Sequence, residues 1–262
     1  MNNPKVVALI FRVEHANSIN YENAAPLRNF KTPECDLTVE DKIARFEFQT
    51  HYADKDEALE AIEPFIRHWE FEAAMQVGPG SFRLRYKEAE IVDQQPSPPE
   101  PTSGPQEIRA EVYIRGNLSV SAPVTRGLPH YPPPPAGGAV DPDDDIVVKM
   151  TRRYDQYRLG RATLPDVAYF CMDLLEEKYG GLPVAARECG ISKNVLVKTR
   201  SLSSTRGGEV ARKAVGADKE FTNQEKQFLN QVIPKIIFRV AQVAADDSQC
   251  LPQITMADLP SL

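Results

Sequence analysis

The chain has 262 residues, of which 42% are hydrophobic and 26% charged, and its formal net charge is -6. This composition is that of ordinary globular proteins and excludes a chain that is disordered throughout. No uninterrupted apolar run is longer than that of residues 6–11, which is far shorter than the roughly 20 residues that span a bilayer, and the first residues lack the apolar core of a signal peptide. We therefore predict a cytoplasmic protein with no membrane partner.

Two low-complexity stretches divide the sequence. Residues 94–105 (QQPSPPEPTSGP) and 129–138 (PHYPPPPAGG) are rich in proline, which fixes φ and lacks a backbone donor, so both are expected to be extended connectors. Charge divides at the second stretch, because residues 1–140 hold 14 basic and 20 acidic residues whereas residues 141–262 hold 17 of each. The predicted organisation is an α+β domain (1–128, with a proline-rich loop at 94–105), a linker (129–140), an all-helical domain (141–245) and a short, frayed tail (246–262).

The first domain shows the period-2 patterns of strands and one helical pattern. Residues 6–13 predict a strand, and Ala44, Phe46 and Phe48 alternate with charged residues as in a half-buried second strand. Residues 82–86 and 108–114 predict two more strands. Between them, Asp54 opens a helix whose apolar residues recur at helical spacing, and Pro64 is expected to kink or divide that helix. The sum is a small, mostly antiparallel sheet with a covering helix.

The second domain carries helical signals throughout. Asp141 followed by proline predicts the start of one helix, and Thr163 with Gly180 predicts the start and end of the next. Thr222 with a glutamate three residues later is a capping box, and it precedes a long apolar stripe in which proline 234 is expected to cause a bend.

Residues 182–203 fit the pattern of a helix-turn-helix, with small residues before a glycine turn and a second short helix after it. Residues 181–213 hold seven basic and two acidic residues, a local charge of +5. The candidate nucleic-acid contacts in this basic segment (187–213) are Lys193, Lys198, Arg200 and Arg206, which could neutralise phosphates. Equally, two short helices meet at a glycine turn in many proteins that never contact DNA, and basic residues solvate an outer face. A pI of about 5.4 also argues against strong non-specific nucleic-acid affinity.

Signatures of enzymes and metal sites are absent from the sequence. The four cysteines form no C-x-x-C pair, no two histidines have H-x-x-x-H spacing, and no phosphate loop or G-x-S-x-G elbow is present. A P-D…E-x-K string like that of some nucleases falls on one predicted helix, where its carboxylates would lie about 15 Å apart and could not share a metal ion. We predict no catalytic residue, no cofactor and no metal. A hydrolase site between the domains that gathers His15, His51 or His68 is a further alternative.

Two passages, residues 56–72 (DEALEAIEPFIRHWEFE) and 169–213 (beginning YFCMDLLEEKYGG), resemble a group of uncharacterised bacterial two-part proteins with no known activity. The resemblance carries no functional residues over and implies a bacterial, cytoplasmic setting. Our sequence-based expectation is a non-enzymatic bacterial protein that works by protein–protein interaction, for example in a regulatory or defence complex. The alternatives are a nucleic-acid-binding regulator that uses residues 182–203, and the hydrolase. The oligomeric state is left open.

Overall fold

The computed structural model of the protein describes residues 4–16, 18–93, 126–135, 139–206, 220–245 and 251–262. The chain forms two compact units: Met1–Glu63 with Phe82–Tyr131, and Pro64–Ser81 with Pro132–Leu262. We call them the sheet unit and the helical unit. An antiparallel sheet in the N-terminal part and helices in the C-terminal part confirm the predicted fold class. The sheet unit ends at Tyr131, inside the predicted linker, and residues 64–81 group with the helical unit.

The described strands of the sheet unit are β1 (Pro4–Glu14), β2 (Ile19–Asn20), β3 (Leu27–Lys31), β4 (Cys35–Glu40), β5 (Ile43–Phe48), β6 (Arg83–Asp93) and β7 (Arg126–Gly127). Five of them form an antiparallel sheet in the order β3-β4-β5-β1-β6, and the short strands β2 and β7 pair in parallel. The predicted strands at 6–13, 44–48 and 82–86 are confirmed. The strand predicted at 108–114 lies outside the described residues.

The side chains in the middle of the sheet are alternately buried and exposed, as the period-2 pattern of the sequence predicts. Ala44 and Phe46 on β5 are fully buried, whereas Arg45 and Glu47, which alternate with them, reach the surface. On the neighbouring β1, Phe11 pairs with Ala44 on one side and with Tyr86 on the other. The ring centroid of Phe11 lies 5.4 Å from that of Phe46 and 5.8 Å from that of Tyr86, both edge-to-face. Alternate side chains of three strands thus form one apolar layer.

One helix, α1 (Lys55–Gln76), follows the fifth strand. Asp54 begins it by accepting hydrogen bonds at Oδ1 from the backbone N–H of Asp56 and of Glu57, both at 2.9 Å. The expectation that Pro64 divides the helix is wrong, because α1 runs continuously through that residue. The boundary between the two units nevertheless falls between Glu63 and Pro64.

The helical unit contains the second half of α1 and five further helices around one apolar core. These are α2 (Asp145–Arg158), α3 (Leu164–Tyr179), α4 (Leu182–Glu188), α5 (Lys193–Thr205) and α6 (Asn223–Ala244). The predicted boundaries of α3 are confirmed, with Thr163 as the N-cap and Gly180 in the left-handed conformation at its end. The predicted capping box of α6 is also present between Thr222 and Glu225.

Two expectations about this unit are corrected. Helix α2 is capped by Asp144, whose Oδ1 accepts from the N–H of Ile146 at 3.0 Å, and not by Asp141. Asp141 instead accepts from the N–H of Asp143 in the turn before the helix. The tail is not frayed throughout, because residues 251–262 include a 3₁₀ turn (Met256–Asp258) and Leu259, which is buried in the core.

Candidate functional site

The helix-turn-helix-like segment forms the two helices α4 and α5, joined by a tight turn at Gly190. The φ of Gly190 is 56°, in the left-handed region that favours glycine. One face of the segment packs inward, since Ile191 and Val195 are fully buried and Leu202 is nearly so. The segment is therefore an integral part of the helical core.

The C-terminal segment (residues 251–259) lies against this turn. The N–H of Ser192 donates to the carbonyl oxygen of Ile254 at 2.8 Å, and the N–H of Ile254 donates to the carbonyl oxygen of Gly190 at 3.0 Å. Ile191 and Ile254 form a parallel β-bridge. The backbone groups of the turn are thus satisfied by the chain itself.

A buried arginine on α6 joins the turn to the C-terminal segment. Arg239 is 6% exposed, and its Nη1 donates to the carbonyl oxygens of Cys189 and Gly190 at 3.2 and 3.1 Å. Its Nη2 donates to the carbonyl oxygen of Pro252 at 2.8 Å. Burial lowers the pKa of Arg239, although a guanidinium stays protonated in proteins. One guanidinium therefore donates hydrogen bonds to three carbonyl groups from two segments.

Arg200, predicted as a phosphate contact, is bound within the protein. Its Nη1 lies 2.5 Å from Oδ1 of Asp173 and its Nη2 lies 3.1 Å from Oε2 of Glu176, both on α3. The guanidinium also lies over the ring of Tyr169, 4.2 Å from the centroid. Arg200 thereby links α5 to α3.

Of the other three predicted contacts, one is paired with a carboxylate and two are not. Nε of Arg206 lies 3.0 Å from Oε1 of Glu225, which links the end of α5 to the start of α6. Lys193 is exposed and Lys198 half-buried, and neither forms an ion pair with any residue that the structure describes. Two of the four cations are therefore neutralised by carboxylates of the same unit, and the two lysines keep their charge available.

The three histidines of the hydrolase alternative are divided between the units. His15 and His51 belong to the sheet unit, where Nδ1 of His15 lies 3.2 Å from the carbonyl oxygen of Ala16 and His51 is exposed. His68 belongs to the helical unit, is buried, and has Nε2 3.9 Å from Oε2 of Glu72. Within the described ranges, no group of three or more histidine, cysteine or acidic side chains is placed to hold a metal ion.

A concave feature of the helical unit, which we call the α6 groove, has a volume of about 610 Å³. This volume is within the range of ligand sites in proteins. It is lined by α1, the end of α2, α6 and the C-terminal segment. Its apolar and aromatic lining consists of Met75, Tyr154, Pro234, Phe238 and Ile254. The ring of Phe238 stacks on that of Phe71, with centroids 6.0 Å apart and planes 13° from parallel. This stacking holds the Phe238 ring in position.

The polar lining of the α6 groove is of two kinds. Four amide side chains contribute both donors and acceptors: Gln76, Asn230, Gln231 and Gln242. The charged residues are Glu72, Arg158, Lys235 and Arg239, three cations and one carboxylate. Burial raises the pKa of Glu72, while a hydrogen bond from Gln76 acts in the opposite direction. The site is thus amphipathic and carries an excess of positive charge in an acidic chain.

Sequence reasoning missed this site because it is made by distant segments. Residues 72–76 precede Arg158 by some eighty positions, and Ile254 lies in the tail. The available signal was Phe238, an aromatic residue outside the predicted apolar stripe of α6 and only half-buried. A large aromatic side chain next to the apolar face that forms the core indicates a second contact surface on the same helix.

No protein-family model, curated protein or solved structure matches this chain. In the ranges for which the structure describes helices, none has the length and apolar character needed to cross a membrane.

Proposed function

We propose that this chain is a non-enzymatic binding protein that takes part in a bacterial regulatory or defence complex and contacts a protein partner through the α6 groove. The observation that supports the proposal is the chemistry of the groove. Its described lining combines a fixed aromatic ring, a methionine and amide groups, and contains no histidine, cysteine, serine or threonine. Methionine and aromatic side chains adapt to apolar partners. The Ser–His and Cys–His pairs of nucleophilic catalysis cannot form from this described lining.

Filling the groove tests this proposal. Gln231 is exposed and lines the groove, so a tryptophan there should occupy the space a partner needs without disturbing the core. Gln227 is exposed on the same helix and does not line the groove, which makes Gln227→Trp the matched control. Affinity capture with the tagged full-length chain should recover the same partner with wild type and Gln227→Trp, and lose it with Gln231→Trp. Equal recovery with all three proteins would refute the groove as the contact site.

A second candidate function is nucleic-acid binding, which the free charges of Lys193 and Lys198 favour. Anisotropy titrations with labelled duplex DNA, single-stranded DNA and RNA at two salt concentrations test it. The informative variant is Lys193→Ala/Lys198→Ala, because Arg200 and Arg206 also hold helices together. Salt-sensitive binding that this variant loses would support the function, and no binding at low salt would exclude it.

A further inference from the structure

The cations of the α6 groove are held by neutral groups. Nζ of Lys235 donates to the carbonyl oxygen of Asp258 at 2.6 Å, and Nη1 of Arg158 donates to the hydroxyl of Tyr154 at 3.4 Å. Nη2 of Arg158 also donates to the carbonyl oxygen of Val77. Carbonyl and hydroxyl dipoles orient a cation and leave its net charge in place.

Two carboxylates of the described residues belong to this region: Glu72 lines the groove, and Asp258 interacts electrostatically with Lys235. Neither Arg158 nor Lys235 forms an ion pair with a carboxylate in the described parts of the chain, although the charge of Lys235 contributes to lowering the pKa of Asp258. The Asp258 carboxylate itself accepts hydrogen bonds from the N–H and hydroxyl of Thr255, both at 2.8 Å. Among the described residues, Arg158 and Lys235 therefore form a positive rim without an ion-pair partner, and the lining of the groove has three cations against the one carboxylate of Glu72.

The remaining lining indicates what kind of molecule carries the complementary charge. The amide side chain of Gln231 can accept from a backbone N–H and donate to a backbone carbonyl, which matches the alternating groups of a peptide. The apolar surface of Met75 and Phe238 suits one large apolar side chain. Carboxylates next to that side chain would lie near Arg158 and Lys235.

We infer that the α6 groove binds a short acidic peptide segment of a partner protein, with one large apolar side chain against Phe238 and flanking carboxylates near Arg158 and Lys235. This inference rests on the proposed function and specifies the chemistry of the partner. Charge complementarity of this kind sets specificity and the rate of association more than total affinity.

The test uses three fluorescein-labelled peptides with the same Leu-Phe centre and flanks of glutamate, glutamine or lysine. Titrated against the full-length chain, the glutamate peptide should bind about tenfold more tightly than the lysine peptide, and raising the salt should reduce the difference. Lys235→Glu should abolish the preference for glutamate. Lys226→Glu makes the same charge change at an exposed position of α6 outside the groove and should preserve it.

The outcomes separate this inference from the proposed function. Equal binding of the glutamate and lysine peptides, or tighter binding of the lysine peptide, would overturn the acidic specificity. In that case, loss of the captured partner with Gln231→Trp would still support the groove as the contact site. A preference for glutamate that Lys226→Glu removes and Lys235→Glu keeps would overturn the assignment of the specificity to the groove.

Discussion

Nη1 of Arg239 on α6 lies 3.1 Å from the carbonyl oxygen of Gly190, in the turn between α4 and α5. The same nitrogen lies 3.0 Å from the point where a Cβ on Gly190 would stand. The turn, the longest helix of the unit and the C-terminal segment therefore meet at one guanidinium.

Replacing Gly190 by alanine should destabilise the helical unit for two reasons. The left-handed φ costs about 1 kcal/mol for an L-residue, and the new methyl group displaces the guanidinium, which adds about 1 kcal/mol. Gly180→Ala is the matched control, because its φ is 74° and a Cβ there would meet nothing within 4 Å. Urea unfolding should give the larger loss of free energy for Gly190→Ala. Equal losses would show that the contact with Arg239 has no energetic weight.

Replacing Arg239 by methionine should lower the free energy of unfolding by about 2 kcal/mol. The carbonyl oxygens of Cys189, Gly190 and Pro252 lose their charged donor, while removal of a buried cation offsets part of the cost. Lys235→Met, at an exposed cation one turn earlier on α6, should change stability by less than about 0.5 kcal/mol. A similar small effect at Arg239 would contradict the structural role assigned to it.

Arg200 should matter for stability more than the two free lysines do. Arg200→Ala removes two ion pairs and the contact with the Tyr169 ring, a combined loss of about 1 to 1.5 kcal/mol at a partly exposed site. Lys193→Ala and Lys198→Ala should each stay within about 0.5 kcal/mol of wild type in the same denaturation assay. If Arg200→Ala were as stable as wild type, this arginine would be available for an external ligand.

Low pH should reduce the stability that Glu225 contributes at the start of α6. Burial alone would raise the pKa of Glu225, but the backbone N–H of Thr222 and the guanidinium of Arg206 favour its charged form, and the pKa is lowered from its usual 4.5. A depressed pKa contributes stability that is complete above the unfolded-state value and is lost as the pH falls through the folded-state value. The free energy of unfolding, measured on either side of pH 4.5, should therefore decrease less steeply with falling pH for Glu225→Gln than for wild type. Parallel profiles would argue against this coupling.

Local patterns predicted most of the described fold because each depends on neighbouring residues. The capping box of α6, the start and end of α3 and the alternation in β5 are of this kind. The N-cap of helix α2 lies three residues after the predicted aspartate because four aspartates lie close together, and the sequence does not say which one caps the helix. Strands β3 and β4 were missed, although Cys35, Leu37 and Val39 alternate with polar residues and are buried.

The candidate site was less predictable because it depends on contacts between distant segments. The basic residues of α5 have the right type and spacing for phosphate contacts, but the partners of Arg200 lie 24 and 27 positions away on α3. Nothing in the local sequence shows that a guanidinium is already paired. Likewise, the α6 groove depends on tail residues that periodicity assigns to no element.

Site-specific photocrosslinking in the producing cell tests the central claim most directly. A photoreactive residue at position 231 lies in the α6 groove, and one at Arg152, exposed on α2, lies outside it. We predict that position 231 yields a discrete crosslinked protein whose attachment maps to one segment, and that position 152 does not yield it. The same partner crosslinked equally from both positions, or none from position 231, would contradict the proposal that this groove binds the partner.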